Sequence, residues 1–317
     1  LRSWAAPMAK KQKTFKPKAR VPRGFRDMAG AELVLQQRMI ATISDVYRSY
    51  GFDALDTSAF EYADALGKFL PDADRPNEGV FALEDDDKQW LSLRYDLTAP
   101  LARYVAENYD SLPKPFRRFQ WGPVWRNEKP GPGRYRQFLQ IDADTGGAGN
   151  MGADAEICMM AADCMAALGI GTGDYLVRIN NRKIMDGLLQ RIGLTNEQAD
   201  YETRRLTILR AMDKYDRLGL AGVRDLLGAG RRDESGDFTA GARLDAAQID
   251  AVAGLVSAQG ASRPDMLDAL EAQIGDTESG ARGIAELREM DALFTRLGYG
   301  VDRLCIDPTI VRGLGYY

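Results

Sequence analysis

The clearest pattern in this chain is a pair of strand-like runs around a loop of turn-forming residues. Residues 134–144 alternate in polarity, and residues 117–126 mix aromatic and β-branched side chains with polar ones. The loop between them, residues 127–133, contains two prolines and two glycines. Two such runs around a Gly/Pro loop predict a β-hairpin with a long loop.

Helical periodicity dominates most of the remaining chain. Apolar residues recur every three or four positions over residues 31–50 and 153–168, and a glycine follows each stretch directly. Residues 101–109 also predict a helix. Residues 181–297 are rich in Ala, Leu and acidic residues with the same periodicity, which predicts a mainly helical segment with polar linkers at 228–241 and 275–283. Shorter strands are predicted at 79–83 and 89–94, around an acidic turn, and at 175–180 and 301–306.

Composition excludes several classes of function. The 317 residues include no histidine, which rules out a histidine general base, a histidine-based triad and most transition-metal sites within this chain. The three cysteines form no CxxC pair, so a reduced cytoplasmic protein without structural zinc is the simplest interpretation, with Cys158 and Cys164 as core residues. No apolar run approaches the ~18 residues of a membrane span, and no signal-peptide pattern is present.

The charge is unevenly distributed. Residues 1–26 hold nine of the 42 Lys and Arg and no acidic residue, so the remainder carries 33 cations against 46 acids. Such a segment could contact RNA phosphates, but a disordered leader over residues 1–20 is the favoured interpretation.

Cations also concentrate on the predicted hairpin, where residues 117–136 contain six cations and one acid, Glu128. Arginine side chains suit phosphate and carboxylate groups. Because residues two apart share a strand face, one face would carry cations, then an aromatic ring, then acids. A zwitterionic ligand with a phosphate would fit that face, and a solvated, charge-laced hairpin is an equally weighted alternative. The residues of this face are Arg134, Arg136, Phe138, Gln140, Asp142 and Asp144.

The hairpin resembles motif 2 of the class II aminoacyl-tRNA synthetases, through Arg126-x-Glu128, a loop, and Gly133-Arg134-x-x-x-Phe138. The stretch GRYRQFLQ with the two acids after it is similar to the histidyl-tRNA synthetase family in particular. The similarity runs from about residue 21 to residue 317, in the family's order and spacing. The other stretches that carry it are PRGFRDM (22–28), LRYDLTAP (93–100), INNRKIMDG (179–187) and VRGLGYY (311–317).

The resemblance implies an α+β fold, with a class II synthetase-type antiparallel sheet flanked by helices and an inserted, mainly helical domain. The catalytic core would occupy residues 21–180, the insertion residues 181–297, and the return to the core residues 298–317. Residues 31–50 would form the motif 1 helix, leading to a strand near residues 52–60 at a homodimer interface, with Thr57 and Ser58 where the family usually has a proline. In the family, motif 3 and an anticodon-binding domain follow, so this chain is expected to be a fragment.

The implied activity is that of a histidine–tRNA ligase. Histidine would be activated with ATP to histidyl-adenylate and then transferred to tRNA(His). The nucleophile is the carboxylate of histidine, which is already ionised, so the reaction needs placement and charge neutralisation rather than a general base. Mg²⁺ would enter with ATP, and no dedicated metal ligands are expected in the protein.

The resemblance also implies roles for individual residues. For ATP, Arg126 would hold the α-phosphate together with the histidine carboxylate, and Glu128 would accept a hydrogen bond from the adenine amino group. Arg134 would reach the outer phosphates, Phe138 would stack on adenine, and Arg312 would supply a second cation at the α-phosphate. For histidine, Asp96, Thr98 and Gln140 would hold the ammonium group, Asp144 would face the imidazole, and Tyr316 and Tyr317 would close the pocket.

Two alternatives from other functional classes remain. One is a synthetase-like regulatory subunit of histidine biosynthesis, and the other is a synthetase-like RNA-binding or regulatory module without catalysis. Paralogues of the first kind generally lose the arginine and the tyrosines of the RGLDYY signature. Here Arg312, Tyr316 and Tyr317 are present, which favours the enzyme.

Overall fold

A computed structural model describes residues 18–65, 79–232 and 236–311 of the chain. Its contacts divide the chain into two compact units. The first comprises the described residues of Leu1–Gln37, Leu55–Ser111 and Gln120–Asp142, and the second those of Arg38–Ala54, Leu112–Phe119 and Ala143–Tyr317. The basic leader over residues 1–20 falls almost wholly outside the described residues, so its disorder stays a prediction.

Within the described residues the chain forms nine helices and ten strands. In chain order they are α1 (Gly30–Ser49), β1 (Asp53–Ala54), β2 (Phe60–Tyr62), β3 (Ala82–Glu84), β4 (Trp90–Leu93), α2 (Thr98–Asn108), β5 (Phe116–Trp125), β6 (Gln137–Gly146), α3 (Met151–Ala167), β7 (Val177–Ile179), α4 (Arg182–Arg191), α5 (Tyr201–Met212), α6 (Tyr215–Leu227), β8 (Gly230–Arg232), β9 (Phe238–Ala240), α7 (Ala246–Val256), α8 (Arg263–Ile274), α9 (Glu278–Arg296) and β10 (Leu304–Ile306).

The predicted hairpin is present as β5 and β6, which are hydrogen-bonded neighbours in a sheet of order β1-β5-β6. The backbone N–H of Arg126 donates to the carbonyl of Arg136 at 2.9 Å where the connecting loop begins and ends. β1 lies parallel to β5, with Asp53 opposite Arg118. The α+β class is therefore confirmed.

The helices predicted at 31–50 and 153–168 are α1 and α3, and both pack on the sheet in the second unit. Phe119 of β5 lies in a buried cluster with Phe52 and with Met160 of α3. Tyr47 of α1 meets the Phe119 ring edge-on, with ring centroids 5.6 Å apart. Aromatic pairs in this geometry add to the stabilisation from apolar burial. Burial also raises the pKa of the Cys158 and Cys164 thiols of α3 to about 11, as expected for core cysteines.

In the first unit, the short strands around the acidic turn are confirmed as β3 and β4, with β2 on the other side of β4. Asp85 closes the turn, since its carboxylate accepts the backbone N–H groups of Asp87 and Gln89 at 2.9 and 2.8 Å. α2 begins three residues before the predicted start, at Thr98. Pro100 lies in its first turn, where the missing N–H of a proline costs no helical hydrogen bond.

Residues 182–296 are mainly helical, as predicted, and α4 to α9 enclose the largest apolar core of the second unit. Leu188, Ile208, Leu227, Leu255 and Leu270 are all at most 1% exposed. The boundaries of this segment as a separate domain, at residues 181 and 297, stay a prediction.

Both predicted linkers were wrong in detail. Within residues 228–241, β8 and β9 pair antiparallel, with Arg231 opposite Thr239. Within 275–283, α9 already begins at Glu278. The glycines there serve helix packing, because a Cβ on Gly187 of α4 would lie 2.6 Å from the backbone of Gly280. A sequence pattern does not distinguish a glycine that allows a turn from one that allows two helices to approach.

A polar cluster in the second unit joins three parts of the chain around Asp163 of α3. Its carboxylate accepts hydrogen bonds from the hydroxyls of Tyr50 and Tyr299, at 2.6 and 2.7 Å, and from the Arg303 guanidinium at 2.7 Å. Burial alone would raise the pKa of Asp163, but these three donors outweigh it and hold the pKa below its usual value. Burial and the hydrogen bond to Asp163 raise the pKa of Tyr50. The cluster therefore holds one ionised carboxylate among neutral hydroxyls.

Candidate nucleotide-binding site

A cavity of about 400 Å³ lies in the first unit at the loop between β5 and β6. Sites for small molecules usually measure ~300–1,000 Å³ and carry a few convergent polar groups. Four predicted ATP contacts come together here, and four further residues complete the wall. The lining residues are Arg126, Glu128, Lys129, Pro130, Gly133, Arg134, Tyr135 and Phe138.

Arg126 is held in position from two sides. It follows β5 directly, and its Nε donates to the carbonyl oxygen of Tyr95 at 3.1 Å. Its guanidinium carbon lies 5.0 Å from the centroid of the Phe138 ring on β6, within the range of a cation–π contact. Bonding through Nε leaves the outer edge of the guanidinium for a ligand. Arginine binds phosphate or carboxylate through two parallel N–H groups on such an edge.

The cations at this cavity lack carboxylate partners. Among the described residues, Arg126, Lys129 and Arg134 form no ion pair, and neither does Glu128. Two other arginines of the same hairpin do: Arg117 pairs with Glu156, and Arg118 pairs with Asp144, both within 3 Å. Three cations against one carboxylate around the same cavity produce a local positive potential, which attracts anions.

The stretch at residues 22–28 braces the loop from outside. The backbone N–H of Arg136 donates to the Gly24 carbonyl at 2.7 Å, and Arg136 Nε donates to the Glu128 carbonyl at 3.0 Å. Gly24 has φ +85, and a Cβ there would meet the Arg136 side chain at 2.8 Å. The Arg26 guanidinium lies 4.8 Å from the Tyr135 ring centroid. The loop backbone that presents Glu128 is thereby tied to a second segment of the chain.

Asp96 and Thr98, predicted to hold an ammonium group, lie at the start of α2. Asp96 is fully buried, and its Oδ1 accepts the backbone N–H groups of Thr98 and Ala99 at 3.1 and 2.9 Å. These N–H groups belong to the first turn of a helix, which has no internal acceptors for them. One oxygen of Asp96 is therefore committed to beginning α2. The adjacent carbonyl of Tyr95 fixes Arg126. The predicted contacts to the ammonium group and to the carboxylate of histidine therefore both depend on this short segment.

Gln140, predicted to help hold the ammonium group, lies on β6 in the first unit. Its Oε1 is buried and has no hydrogen-bond partner among the described residues. A buried acceptor without a partner costs ~1–3 kcal/mol. A donor on a ligand, such as an ammonium group, would remove that cost.

Asp144, the predicted imidazole partner, belongs to the second unit. Its Oδ2 lies 2.9 Å from a terminal nitrogen of Arg118. It lines a different cavity, of about 670 Å³, together with residues of α3, α4 and α9. Arg312, Tyr316 and Tyr317 lie outside the described residues, so their predicted roles stay predictions.

The backbone that leads to Arg312 is held in place as far as it is described. Asn180 Nδ2 donates to the carbonyls of Pro308 and Ile310, at 3.3 and 2.9 Å. Val311 is buried. The segment before the predicted second cation is therefore fixed against the end of β7 within the second unit.

Two supporting residues were not predicted from the sequence. Lys129 lines the cavity and was seen only as one of six cations on the hairpin. Arg94 is 4% exposed, with Nε donating to the Pro123 carbonyl at 3.0 Å and a terminal nitrogen donating to the Thr57 carbonyl at 2.8 Å. Burial lowers its pKa, and the Asp56 charge opposes that shift. Its guanidinium lies against Gly122, where a side chain would collide with it. The only signal for Arg94 was its place beside Asp96 in a familial stretch.

Sequence comparison finds similar proteins over nearly the whole chain. The family model described as "Histidyl-tRNA synthetase" matches residues 24–317. A histidine–tRNA ligase of Bartonella bacilliformis is 57% identical over 311 residues, which cover 98% of this chain and 62% of that protein. A histidine–tRNA ligase of Jannaschia sp. strain CCS1 is 53% identical over 322 residues, which cover 98% of this chain and 63% of that protein.

The fold comparison gives the same result. The crystal structure of histidyl-tRNA synthetase from Nostoc sp. PCC 7120 superposes with a TM-score of 0.78 at 28% identity, covering 95% of this chain and 64% of that one. The chain thus spans about three fifths of the length of the curated relatives it matches. Because the family model covers nearly the whole chain and the motif 2 residues surround one cationic cavity, the chain belongs to the histidyl-tRNA synthetase family.

Proposed function

We propose that this chain supplies the ATP-binding hairpin and part of the histidine pocket of an enzyme that activates histidine with ATP and transfers it to tRNA(His). One observation carries the proposal. A cavity of about 400 Å³ combines three cations without carboxylate partners among the described residues with an aromatic ring and one carboxylate. The cations suit phosphates, the ring suits a base, and the carboxylate suits an exocyclic amino group.

The chemistry matches these residue types. The histidine carboxylate attacks the α-phosphorus of ATP, the bond to the β-phosphate oxygen breaks, and pyrophosphate leaves. The attacking oxygen is already ionised, so no proton has to be removed. Negative charge builds up on the α-phosphate oxygens, and Arg126 would stabilise it while also holding the attacking carboxylate. The Tyr95 carbonyl and the Phe138 ring keep the guanidinium oriented for that task.

The other ATP contacts follow from the same cavity. Arg134 would reach the outer phosphates, Phe138 would stack on adenine, and Glu128 would accept from the adenine amino group. Mg²⁺ would enter on the phosphates. No group of three or more acidic or cysteine side chains among the described residues could hold an ion by itself, and Mg²⁺ commonly relies on substrate phosphates and water for most of its ligands.

Histidine recognition would use residues from several segments. In the first unit, Gln140 would accept from the ammonium group through its buried Oε1, with Asp96 and Thr98 beside the start of α2. Asp144 of the second unit would face the imidazole. Arg312 would add a second cation at the α-phosphate, and the two terminal tyrosines, Tyr316 and Tyr317, would close the pocket.

The enzyme is favoured over its alternatives. Identity of 53–57% to histidine–tRNA ligases over 98% of the chain supports catalysis over a regulatory subunit of histidine biosynthesis. The signature arginine and tyrosines at residues 312, 316 and 317 support it too. An RNA-binding module without catalysis would need no set of cations around a cavity of nucleotide size. Synthesis of charged tRNA and three unbridged cysteines agree with a cytoplasmic location. No helix among the described residues is long and apolar enough to span a membrane.

Assembly as a homodimer is part of the proposal. The first half of α1 exposes several large apolar side chains, including Val34 at 46%, Leu35 at 59% and Met39 at 43%. A run of exposed apolar residues on one helix is typical of an interface. A dimer through motif 1, as in the family, would cover these side chains. Thr57 stands where the family has a proline, which would change one backbone bend and leave the many other contacts of the interface in place. Light scattering of the intact protein should give twice the chain mass, and a monomer mass at micromolar concentration would refute the dimer.

The activity is tested by ATP–pyrophosphate exchange with each standard amino acid on the intact protein, followed by charging of a tRNA(His) transcript. We expect exchange with histidine alone and transfer to tRNA(His). Exchange with no amino acid would support one of the non-catalytic alternatives. Exchange with a different amino acid would overturn the assignment of the substrate.

A further inference from the structure

Arg118 of β5 is the largest fully buried side chain among the described residues. Its side chain is 1% exposed, whereas that of its ion-pair partner Asp144 is 35% exposed. Burying an ionised guanidinium is costly even after the surroundings relax, and a nearby carboxylate is needed to offset the cost. A chain that needed only to fill this position could use an apolar residue of similar size. The charge of Arg118 therefore points to a role beyond packing.

The pair also limits what Asp144 can do. The distance of 2.9 Å places one carboxylate oxygen of Asp144 on Arg118. The negative charge of Asp144 is thereby opposed by a cation that solvent cannot reach. To a ligand, Asp144 presents an acceptor within an ion pair, rather than an isolated anion.

We propose that Arg118 is a positioning residue that neutralises Asp144, so that the pocket accepts the histidine side chain with an uncharged imidazole ring. The inference rests on the proposed function, since it takes Asp144 to face the imidazole. A lone carboxylate would favour the imidazolium and raise the pKa of the bound ring. The neutral pair accepts a ring N–H hydrogen bond and offers no excess charge to a cation. Free histidine loses its ring proton near pH ~6.5, so binding weakens below that pH.

Among the described residues, the charged or titratable side chains that line the cavity beside Asp144 are Asp154 and Cys158 of α3, Arg182 and Lys183 of α4, and Glu286 of α9. Burial raises the pKa of the Cys158 thiol to about 11. Lys183 and Glu286 form an ion pair at 2.5 Å, and the hydrogen bond from Lys183 holds the pKa of Glu286 below its usual value. The chain contains no histidine. A loss of kcat/KM for histidine between about pH 6 and 7 therefore reports the ring of the substrate.

The test is the pH dependence of kcat/KM for histidine in pyrophosphate exchange, measured on the intact enzyme and on Arg118→Met. In the wild type we expect kcat/KM to fall as the pH drops below ~6.5, and this fall is the acid limb of the profile. In Arg118→Met, Asp144 loses this cation and binds imidazolium as well, so the fall in kcat/KM between pH ~7 and pH ~5.5 should shrink from about tenfold to about threefold or less, because an opposite charge at contact distance raises the ring pKa of bound histidine by about one unit or more. The double variant Arg118→Met/Asp144→Asn removes both charges and should restore the fall of about tenfold over this pH range.

Arg117→Met is the matched control. Arg117 is adjacent on β5 and forms a comparable ion pair, 2.7 Å from Glu156, but it does not touch Asp144. Arg117→Met should therefore show the same fall in kcat/KM at acid pH as the wild type. A purely structural role for Arg118 would lower kcat/KM equally at every pH, so a fall in Arg118→Met as large as that of the wild type would overturn the proposal.

A second measurement does not depend on the variants folding. The wild type is also measured with triazolylalanine, whose ring is far less basic than imidazole, as a substrate or a competitive inhibitor. Its binding should show no acid limb near pH ~6.5. An acid limb that persists with this analogue would show that the limb does not come from protonation of the substrate ring, and the inference would fail. If the wild type shows no histidine-dependent exchange at all, it is the proposed function that fails.

Discussion

Replacing Arg126 with lysine separates charge from geometry at the candidate site. Lysine keeps one positive charge but loses the planar fork. It also loses the bond from Nε to the Tyr95 carbonyl, which is 3.1 Å long, and most of the stacking on the Phe138 ring at 5.0 Å. The substitution therefore removes the two contacts that orient the side chain and leaves the net charge of the cavity unchanged.

The structure bounds both effects of Arg126→Lys. One hydrogen bond is worth ~0.5–1.5 kcal/mol and a partly exposed cation–π contact ~0.5–1 kcal/mol. The free energy of unfolding should thus fall by about 1–2 kcal/mol. Loss of one oriented donor at a developing oxyanion costs ~10²–10³ in kcat, or about 3–4 kcal/mol. Catalysis should therefore suffer more than stability.

The assay is histidine-dependent pyrophosphate exchange, with urea unfolding on the same preparations. Arg136→Lys is the control, because Arg136 also donates its Nε to a loop carbonyl, that of Glu128, but does not line the cavity. We expect Arg126→Lys to lower kcat by ~10²–10³ and Arg136→Lys to lower it less than tenfold. Nearly full activity of Arg126→Lys, or equal losses in both variants, would refute a transition-state role for the fork of Arg126.

Three further predictions follow. Arg312→Ala in the intact enzyme should lower kcat for adenylate formation by ~10²–10³ with a smaller change in KM, and Arg312→Lys should recover little; a fully active lysine variant would make Arg312 structural. Three hydrogen-bond donors depress the pKa of Asp163 in the folded protein. Its ionised carboxylate therefore stabilises the fold at pH values above the unfolded pKa of ~3.9, and this stabilisation is lost as the pH falls from there through the lower pKa of the folded state. In urea unfolding, the difference between wild type and Asp163→Asn should therefore shrink from pH ~6 to pH ~3, and a constant difference would contradict this. Cys158 and Cys164, with pKa about 11, should react with iodoacetamide at about pH 8 far more slowly in the folded protein than in urea; equal rates would show that the thiols are accessible.

Local pattern was sufficient to predict the elements that frame the site. Alternation and the Gly/Pro loop predicted β5 and β6, and apolar spacing predicted α1 and α3, each within three residues of its observed ends. These features depend on neighbours along the chain, because the period of two or of 3.6 residues is itself the local structure. The same holds for the motif 2 residues, whose short spacing on one hairpin brings them to one cavity.

Distant partners could not be predicted in this way. No local rule links Arg126 to the Tyr95 carbonyl, Arg94 to Pro123, or Arg118 to Asp144, since each pair lies 26 or more positions apart. Gly280 was predicted as part of a linker, and it serves instead for close helix packing against Gly187.

The sequence by itself therefore determined which elements form and which side chains the hairpin presents, because those depend on periodicity and turn chemistry over a few residues. The tertiary structure decided which charges have partners. It pairs Arg118 with Asp144 and leaves Arg126 and Arg134 without a carboxylate among the described residues. The physical reason is that the free energy of a charge depends on burial and on groups within a few ångströms. Only the folded chain brings those groups together.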